Sequence, residues 1–350
     1  MAVNLGKLVW KRKFDFDELK GRLIAIDAYN IMFQFLSVIR QADGMPLSDA
    51  HGNITSHLSG LFYRNIELIG YGAVPVYVFD GIPSMLKQKT IEARMNRRNE
   101  AYDAWKTAIA EGKVEEARLY AQASTRITKE IVASAKQLLE YMGIAYINAP
   151  SEGEAQASEM CKSGLAYAVV SQDYDTMLLG APRVLRNLTI SGKRKLPKKN
   201  IFINIEPELM DFEETLKSLS INHRQLIWLG ILLGTDFNDG IKGVGPKTAL
   251  KIVKNASKIE DIEEYIKSKY HVEFEIDPKE VEQMFLNPEV KKISREDIEK
   301  EKRVPNKEKI LSFMCDEHGF DRDRIMKYID KLLSLSNESR QKGLSNWFKQ

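Results

Sequence analysis

The chain has 350 residues, a length that suits two domains or one large domain and that can bury about three-quarters of its unfolded surface. Its two cysteines, Cys161 and Cys315, are far apart and form no CxxC pattern, so a disulfide framework is not expected and a reducing, intracellular compartment is favoured. Lysines and arginines near the N-terminus interrupt what would be the apolar core of a signal peptide. The longest apolar run, 226–234, is about half as long as a membrane-spanning helix needs to be. Secreted and membrane proteins are therefore disfavoured.

The net charge of +3 hides an uneven distribution. Seven acidic residues, identified below, form one candidate cluster, and setting them aside leaves 52 basic against 42 acidic residues, or +10 for the rest. A basic surface around an acidic cluster suits a protein that binds a polyanion next to a metal ion. The five histidines have no metal-binding spacing, and no GxSxG motif is present.

Three short apolar runs predict buried parallel strands at residues 23–26, 74–79 and 166–171, and a further short strand is expected at 145–148. Helical segments separate them, which predicts an α/β fold with a mostly parallel central sheet flanked by helices. Residues 85–135 are predicted to form a helical insertion, with a break near Gly112 and a basic stretch at 85–98. Residues 191–200 (SGKRKLPKKN) form a basic, turn-rich loop, and the chain is mainly helical from about 206.

The seven acidic residues lie where strands or helices are predicted to end or begin. Asp27, Asp80 and Asp173 follow strands, so they should meet at the carboxyl edge of the sheet, where ligands bind. Asp175 is two residues further on and would point the same way in an extended segment. The remaining members follow a predicted Ser151 helix cap or the apolar helix at 225–234. They are Glu152, Glu154 and Asp236.

Seven carboxylates in one place raise each other's pKa values unless cations neutralise them. An all-oxygen set without histidine or cysteine favours Mg²⁺ or Mn²⁺ over zinc, and two such ions suit phosphodiester hydrolysis. A strand-ending aspartate can also be an ordinary turn residue, and for Asp80–Gly81 taken alone that is the better explanation. Three strand ends together with two acidic i,i+2 pairs favour the metal site.

Two further motifs point to phosphate binding, each with a simpler alternative. The turn at 240–248 is not a P-loop, since Pro246 separates the glycines from Lys247. It predicts a hairpin between two helices in which Gly243, Gly245 and Lys247 bind phosphate, or else a plain glycine turn. Lys87 and Arg94 share one helical face that could hold a scissile phosphate, or they lie on a solvated helix.

The C-terminal residues 336–350 are predicted to be a flexible tail. Apolar and polar anchors at turn-like spacing suit a docking peptide that folds on binding, although the two aromatic residues could instead pack against the body. The anchors are Gln341, Leu344, Trp347 and Phe348.

Taken together, these motifs resemble the flap endonucleases of the structure-specific 5′-nuclease superfamily, and in particular the archaeal members. The stretches that carry the resemblance are IDA at 26–28, TSHL at 55–58, VYVFDG at 76–81, PSEGEAQ at 150–156, SQDYD at 171–175, LGTD at 233–236 and GVGPK at 243–247. The resemblance covers nearly the whole chain. It implies a single nuclease domain at 1–335 that cuts 5′ flaps by a two-metal mechanism, with 5′–3′ exonuclease activity, in Okazaki-fragment maturation and DNA repair.

The resemblance also implies roles for the residues named above. The seven acids would bind two Mg²⁺ ions, with Mn²⁺ able to substitute, and Lys87 and Arg94 would contact the scissile phosphate from a helical arch at 85–135 through which the 5′ flap passes. The helix–hairpin–helix element at 225–270 would grip the downstream duplex and bind K⁺. The tail would dock on the sliding clamp, proliferating cell nuclear antigen.

Other positions follow the family less closely. Arg64 lies where the family has a DNA contact, 44–61 corresponds to the wedge and 3′-flap pocket, and Phe33 stands where many members have a stacking tyrosine. Ala2 replaces the usual glycine, and the long basic tail of eukaryotic members is missing. The implied protein is an intracellular monomer, cytoplasmic if archaeal, that acts on branched DNA. The alternatives are a bubble-cutting or exonucleolytic relative and a non-catalytic junction-binding scaffold held on the clamp.

Overall fold

A computed structural model describes residues 3, 5–41, 44–189, 192–195 and 202–347, with side chains for 3, 5–41, 44–189 and 205–338. Nine strands lie within these residues. They are β1 (Lys11–Lys13), β2 (Leu23–Asp27), β3 (Val74–Phe79), β4 (Tyr146–Asn148), β5 (Ala168–Val170), β6 (Arg183–Arg186), β7 (Gly192–Lys195), β8 (Phe202–Ile205) and β9 (Glu208–Asp211). The four predicted strands are confirmed as β2, β3, β4 and β5. Strands β7 and β8 pair antiparallel, so part of the predicted loop at 191–200 is a strand.

Seven strands form one sheet in the order β1-β9-β6-β5-β2-β3-β4. Strands β2 to β6 are parallel to one another, whereas β9 pairs antiparallel with both β6 and β1. Ile26 of β2 lies beside Val170 of β5, and Phe79 of β3 lies beside Asn148 of β4. The chain therefore leaves these four strands at one edge, as predicted for a mostly parallel sheet.

Fifteen α-helices lie within the described residues. They are α1 (Ala28–Val38), α2 (Ser56–Gly70), α3 (Gln88–Ala110), α4 (Val114–Ala123), α5 (Lys129–Met142), α6 (Gly153–Lys162), α7 (Asp175–Leu178), α8 (Phe212–Leu219), α9 (His223–Leu233), α10 (Pro246–Lys254), α11 (Ile259–Tyr270), α12 (Pro278–Leu286), α13 (Arg295–Glu301), α14 (Lys307–Leu311) and α15 (Arg322–Trp347). Short 3₁₀ turns occupy Phe16–Leu19 and Met85–Lys87, and a π-helical stretch occupies Ser312–Glu317.

Helices cover both faces of the sheet, because alternate residues of each strand enter different apolar cores. Ala25 of β2 packs into one core with side chains from α6, α9 and α10. Its neighbours Ile24 and Ile26 pack into the other core with α1, α2, α5 and α15. This arrangement confirms the predicted α/β architecture.

The predicted helical insertion is a pair of helices, α3 and α4, joined at Gly112, which adopts a left-handed φ of +70°. Ala108 is the one buried residue that α3 contributes, so the hairpin is largely exposed. The predicted limit of 135 is too late. Ile131 and Ala135 of α5 are buried in the core beneath α2, because the apolar stripe of α5 matches a core-facing helix.

The glycine turn joins α9 to α10, as predicted, and Pro246 is the first residue of α10. The C-terminal helix differs from the prediction, since α15 continues past residue 336 to Trp347. No glycine or proline interrupts residues 322–342, so backbone chemistry offers no break there. Phe348 and Ala2 lie outside the described residues. Across the described part of the chain, no helix is long and apolar enough to cross a bilayer.

Candidate functional site

Asp27 is both the last residue of β2 and the N-cap of α1. Its Oδ1 accepts a hydrogen bond from the backbone N–H of Asn30 at 3.0 Å, and its Oδ2 accepts one from Ser171 Oγ at 3.4 Å. The residue is 6% exposed. The carboxylate is therefore fixed at the sheet edge by groups on both neighbouring segments.

Asp80 follows β3, and two glycines make room for it. The N–H of Gly153 donates to Asp80 Oδ1 at 2.7 Å. A Cβ on Gly153 would lie 2.7 Å from that same oxygen, and a Cβ on Gly81 would lie 2.2 Å from the carbonyl oxygen of Ala149. Neither position tolerates a side chain without movement of Asp80 or of the neighbouring backbone.

Glu152 and Glu154 stand at the start of α6. The predicted cap at Ser151 is wrong, because Glu152 is the N-cap and no side-chain cap bond forms. The carbonyl of Ser151 instead accepts the N–H of Gly81 at 2.6 Å, which ties this segment to the Asp80 turn. Glu154 lies in the first turn of α6. Glu152 Oε1 and Glu154 Oε2 are buried and have no protein hydrogen-bond partner.

Asp173 and Asp175 reach the cluster by a different route from the one predicted. Tyr174 between them has helical dihedrals and Asp175 begins α7, so the segment is not extended. Asp173 Oδ2 accepts from Asn30 Nδ2 at 2.9 Å, and Asp175 Oδ1 accepts from the N–H of Val3 at 3.3 Å. The helical turn still directs both carboxylates to the common edge.

The electrostatics of the acids show that they lie together. Burial is the largest cause of a raised pKa for five of the acids, and the negative charge of neighbouring acids adds to it. For Asp27 these neighbours are Asp80 and Asp173, and for Asp80 they are Glu152 and Asp236. For Glu154 the neighbour is Asp175, and for both Asp173 and Asp175 it is Asp236. The pKa is raised to about 8 for Asp27, about 6 for Asp80 and about 7 for Asp175. All seven predicted residues thus form one acidic cluster.

Lys87 and Arg94 reach into this cluster. Lys87 closes the 3₁₀ turn before α3, ion-pairs with Glu152 and lies 3.3 Å from Asp236 Oδ2. Arg94, seven residues or about two turns further along α3, ion-pairs with Asp236. Burial lowers the pKa of Lys87, but the charges of Glu154, Glu152 and Asp236 outweigh it and the pKa is raised. Lys87 therefore remains a cation beside the acids at neutral pH.

The donor set fits a hard divalent cation. All seven groups are carboxylates, two of their buried oxygens are unpartnered, and burial favours protonation unless positive charge is added. In the described part of the chain, however, no three histidine, cysteine or acidic side chains are arranged to hold one metal ion as they stand. Assignment of individual metal ligands therefore stays a prediction.

The other predicted DNA-contacting residues lie on separate elements. Phe33 is on α1 with the Arg98 guanidinium 5.5 Å from its ring centroid, and Arg64 on α2 pairs with Glu67 at 2.6 Å. Gly243 has a left-handed φ of +88°, and a Cβ there would meet nothing within 4 Å. Gly245 is the N-cap of α10, and Lys247 is exposed in the first turn. Gln341, Leu344 and Trp347 lie on the backbone of α15, and their side chains are outside the description.

Sequence reasoning missed the residues that hold the acids in place. Asn30, Ser171 and Val3 all bond to predicted metal ligands. One feature of the sequence points to Asn30. It lies three residues after a strand-ending aspartate that precedes a helix, which is the position whose backbone N–H an N-cap side chain accepts. Nothing in the sequence pairs Val3 with Asp175, which is 172 positions away.

Comparison with known proteins adds an independent finding. Residues 4–101 match the XPG N-terminal domain family and residues 143–236 match the XPG I-region family. The chain is 46% identical over 350 residues to flap endonuclease 1 of Pyrococcus furiosus, covering 100% of both chains, and 48% identical over 344 residues to that of Saccharolobus solfataricus, covering 97% of both. The solved flap endonuclease-1 of Methanococcus jannaschii superposes with a TM-score of 0.73 at 39% identity, covering 96% of this chain and 99% of that one.

Proposed function

The chain belongs to the flap endonuclease family, and from this membership and the acidic cluster we infer that it is a nuclease that cuts branched DNA at 5′ flaps. The observation that supports this most directly is the convergence of seven carboxylates from five separate segments at one sheet edge, with two cations beside them. The relatives at 46% and 48% identity are named flap endonuclease 1, which favours this activity over bubble cutting or a scaffold role.

We propose that the cluster holds Mg²⁺, with Mn²⁺ as a substitute. The ligands would come from seven side chains: Asp27, Asp80, Glu152, Glu154, Asp173, Asp175 and Asp236. When bound, a pair of such ions supplies Lewis acidity and a nucleophilic water for phosphodiester hydrolysis. The protein contributes the fixed orientation of the oxygens: the helix cap at Asp27, the Gly153 N–H at Asp80 and the Val3 N–H at Asp175 each occupy one oxygen of their carboxylate.

Lys87 and Arg94 would bind the scissile phosphate. Their cations lie at the mouth of the acidic cluster, where side-chain exposure is 11% for Lys87 and 36% for Arg94. Fixed positive charge in such a water-poor site stabilises the extra negative charge of a phosphoryl transition state. Both residues begin the exposed α3–α4 hairpin, so strand entry past that hairpin would bring the phosphate to them, in agreement with an arch function.

The turn before α10 would hold duplex DNA without reading its sequence. Gly243 and Gly245 expose backbone N–H groups, the N-terminus of α10 adds its dipole, and Lys247 adds a charge. A K⁺ ion at this hairpin and stacking of Phe33 on a base remain predictions. Docking of the C-terminal residues on a sliding clamp is likewise proposed from the spacing of Gln341, Leu344 and Trp347.

Cleavage and binding must be measured separately to test this function. Substitution of Asp173 by alanine should lower the rate of cleavage of a labelled double-flap DNA by at least about 100-fold and leave flap-DNA affinity, measured in EDTA at fixed salt, nearly unchanged. Wild-type protein should lose activity in EDTA and regain it with Mg²⁺ or Mn²⁺. Full cleavage by the variant would exclude the metal role, and preferential cutting of bubble or blunt DNA by the wild type would exclude flap specificity.

A further inference from the structure

Asn30 joins two acidic segments that are far apart in sequence. Its backbone N–H donates to Asp27 Oδ1 at 3.0 Å, its side-chain Nδ2 donates to Asp173 Oδ2 at 2.9 Å, and its Oδ1 accepts from the N–H of Gln172 at 3.0 Å. One residue thus contacts the carboxylate after β2 and both the carboxylate and the backbone after β5, at sequence separations of up to 143.

The amide group suits this position better than any other short side chain. The Gln172 N–H requires an acceptor and the Asp173 carboxylate requires a donor, and the asparagine amide offers both from one short planar group. These two partners also fix which way the amide faces. Because Asp27 is the N-cap of α1 and accepts the Asn30 N–H, Asn30 cannot shift without disturbing the cap that orients Asp27.

The bonds act on the spacing of the cluster. Asp27 is buried beside the negative charge of Asp173, so without restraint the two like-charged carboxylates would move apart. Asn30 holds Asp173 through a donor and holds Asp27 through the helix backbone. It therefore opposes their separation while leaving one oxygen of each outside the Asn30 contacts.

We propose that Asn30 is a positioning residue that sets the distance and orientation between Asp27 and Asp173 and so determines divalent-metal affinity; this inference rests on the proposed metal centre. It does not touch DNA in the proposed mechanism and has no proton to transfer. Its loss should therefore weaken metal binding before it affects the maximal cleavage rate or DNA binding.

The test measures Mn²⁺ binding to the full chain without DNA, by electron paramagnetic resonance of the free ion. Asn30→Leu removes both side-chain bonds at similar volume and should weaken Mn²⁺ affinity by about tenfold or more. The Mn²⁺ concentration for half-maximal flap cleavage should rise by a similar factor, and saturating Mn²⁺ should restore most of the rate. Flap-DNA affinity in EDTA should stay within about twofold of wild type.

Asn65 provides the matched control, because it is a fully buried asparagine on α2 whose amide also makes two bonds, to the Leu61 carbonyl and the Tyr77 hydroxyl. Asn65→Leu should lower thermal stability and leave Mn²⁺ affinity unchanged. Should Asn30→Leu fold poorly, Asn30→Ser, which is too short to reach Asp173, is measured in the same way.

The outcomes separate the two proposals. If wild type binds Mn²⁺ and both Asn30 variants bind it equally well, Asn30 does not position the acids, and the metal centre stands. If Asn30→Leu and Asn65→Leu weaken Mn²⁺ affinity equally, the effect is general destabilisation and the inference is wrong. If wild type itself binds no Mn²⁺, the metal centre fails and the role of Asn30 fails with it.

Discussion

Replacing Gly153 by alanine should displace the Asp80 carboxylate. The new Cβ would lie 2.7 Å from Asp80 Oδ1 and 3.1 Å from the Val78 carbonyl oxygen, whereas ordinary contacts begin near 3.4 Å. The carboxylate would therefore have to retreat by roughly 0.7 Å. This movement stretches the 2.7 Å hydrogen bond from the Gly153 N–H, which is the bond that holds Asp80 towards the cluster.

The expected cost follows from two opposing effects. Overpacking of this kind destabilises a folded protein by about 1–3 kcal/mol, and the higher helix propensity of alanine returns no more than about 1 kcal/mol. We expect a net loss of about 1–2 kcal/mol in the free energy of unfolding. Misplacing a proposed ligand carboxylate should lower the single-turnover cleavage rate by about 10–100-fold, so activity should fall far more than the folded fraction.

Gly70→Ala is the matched control, since Gly70 ends α2 and its nearest neighbour to an added Cβ is 3.8 Å away. That variant should match or slightly exceed wild-type stability and cleave at the wild-type rate. Urea unfolding and single-turnover cleavage of a labelled flap substrate provide the two measurements. Wild-type stability and rate in Gly153→Ala would show that Asp80 can adjust freely, and the argument from close approach would be wrong.

Three further predictions concern the cations, the buried histidine and the tail. Lys87→Met should lower the single-turnover cleavage rate by about 100-fold or more with little change in flap-DNA affinity. The control Lys89→Met removes an exposed ion pair with Glu275 and should cleave at nearly the wild-type rate. Equal effects of the two substitutions would contradict a specific role of Lys87 at the scissile phosphate. Burial holds the pKa of His57 down to about 3, so the unfolded chain takes up a proton near pH 6.5 and the folded chain does not. The free energy of unfolding should therefore fall by about 1.4 kcal/mol per pH unit below 6.5, and His57→Gln should lack this part of the slope in urea titrations at several pH values. Deleting 341–350 should leave basal cleavage within about twofold and remove stimulation by a sliding clamp; an unchanged response to the clamp would exclude the docking role.

The sequence alone predicted four of the seven strands of the sheet, β2 to β5, and the seven acids of the cluster. Short apolar runs that end in aspartate are a local signal, and the parallel arrangement of strands brings those ends to one edge whatever the details of packing. Asp27 and Asp80 could be placed in this way because Asp27 ends β2 and Asp80 directly follows β3. Pro246 after a glycine likewise predicts the start of α10, because a proline at the first helical position has no N–H to leave unpaired.

The tertiary structure alone decided how the acids are held. The contacts of Asn30 with Asp173 and of Gly153 with Asp80 join segments 143 and 73 residues apart, and no local pattern encodes such pairs. The cap at the start of α6 fell on Glu152 because the Ser151 carbonyl is committed to Gly81 across the fold. Local chemistry specifies which side chains end a strand, but long-range hydrogen bonds and close backbone approach set where their oxygens lie, since these depend on segments that meet only after folding.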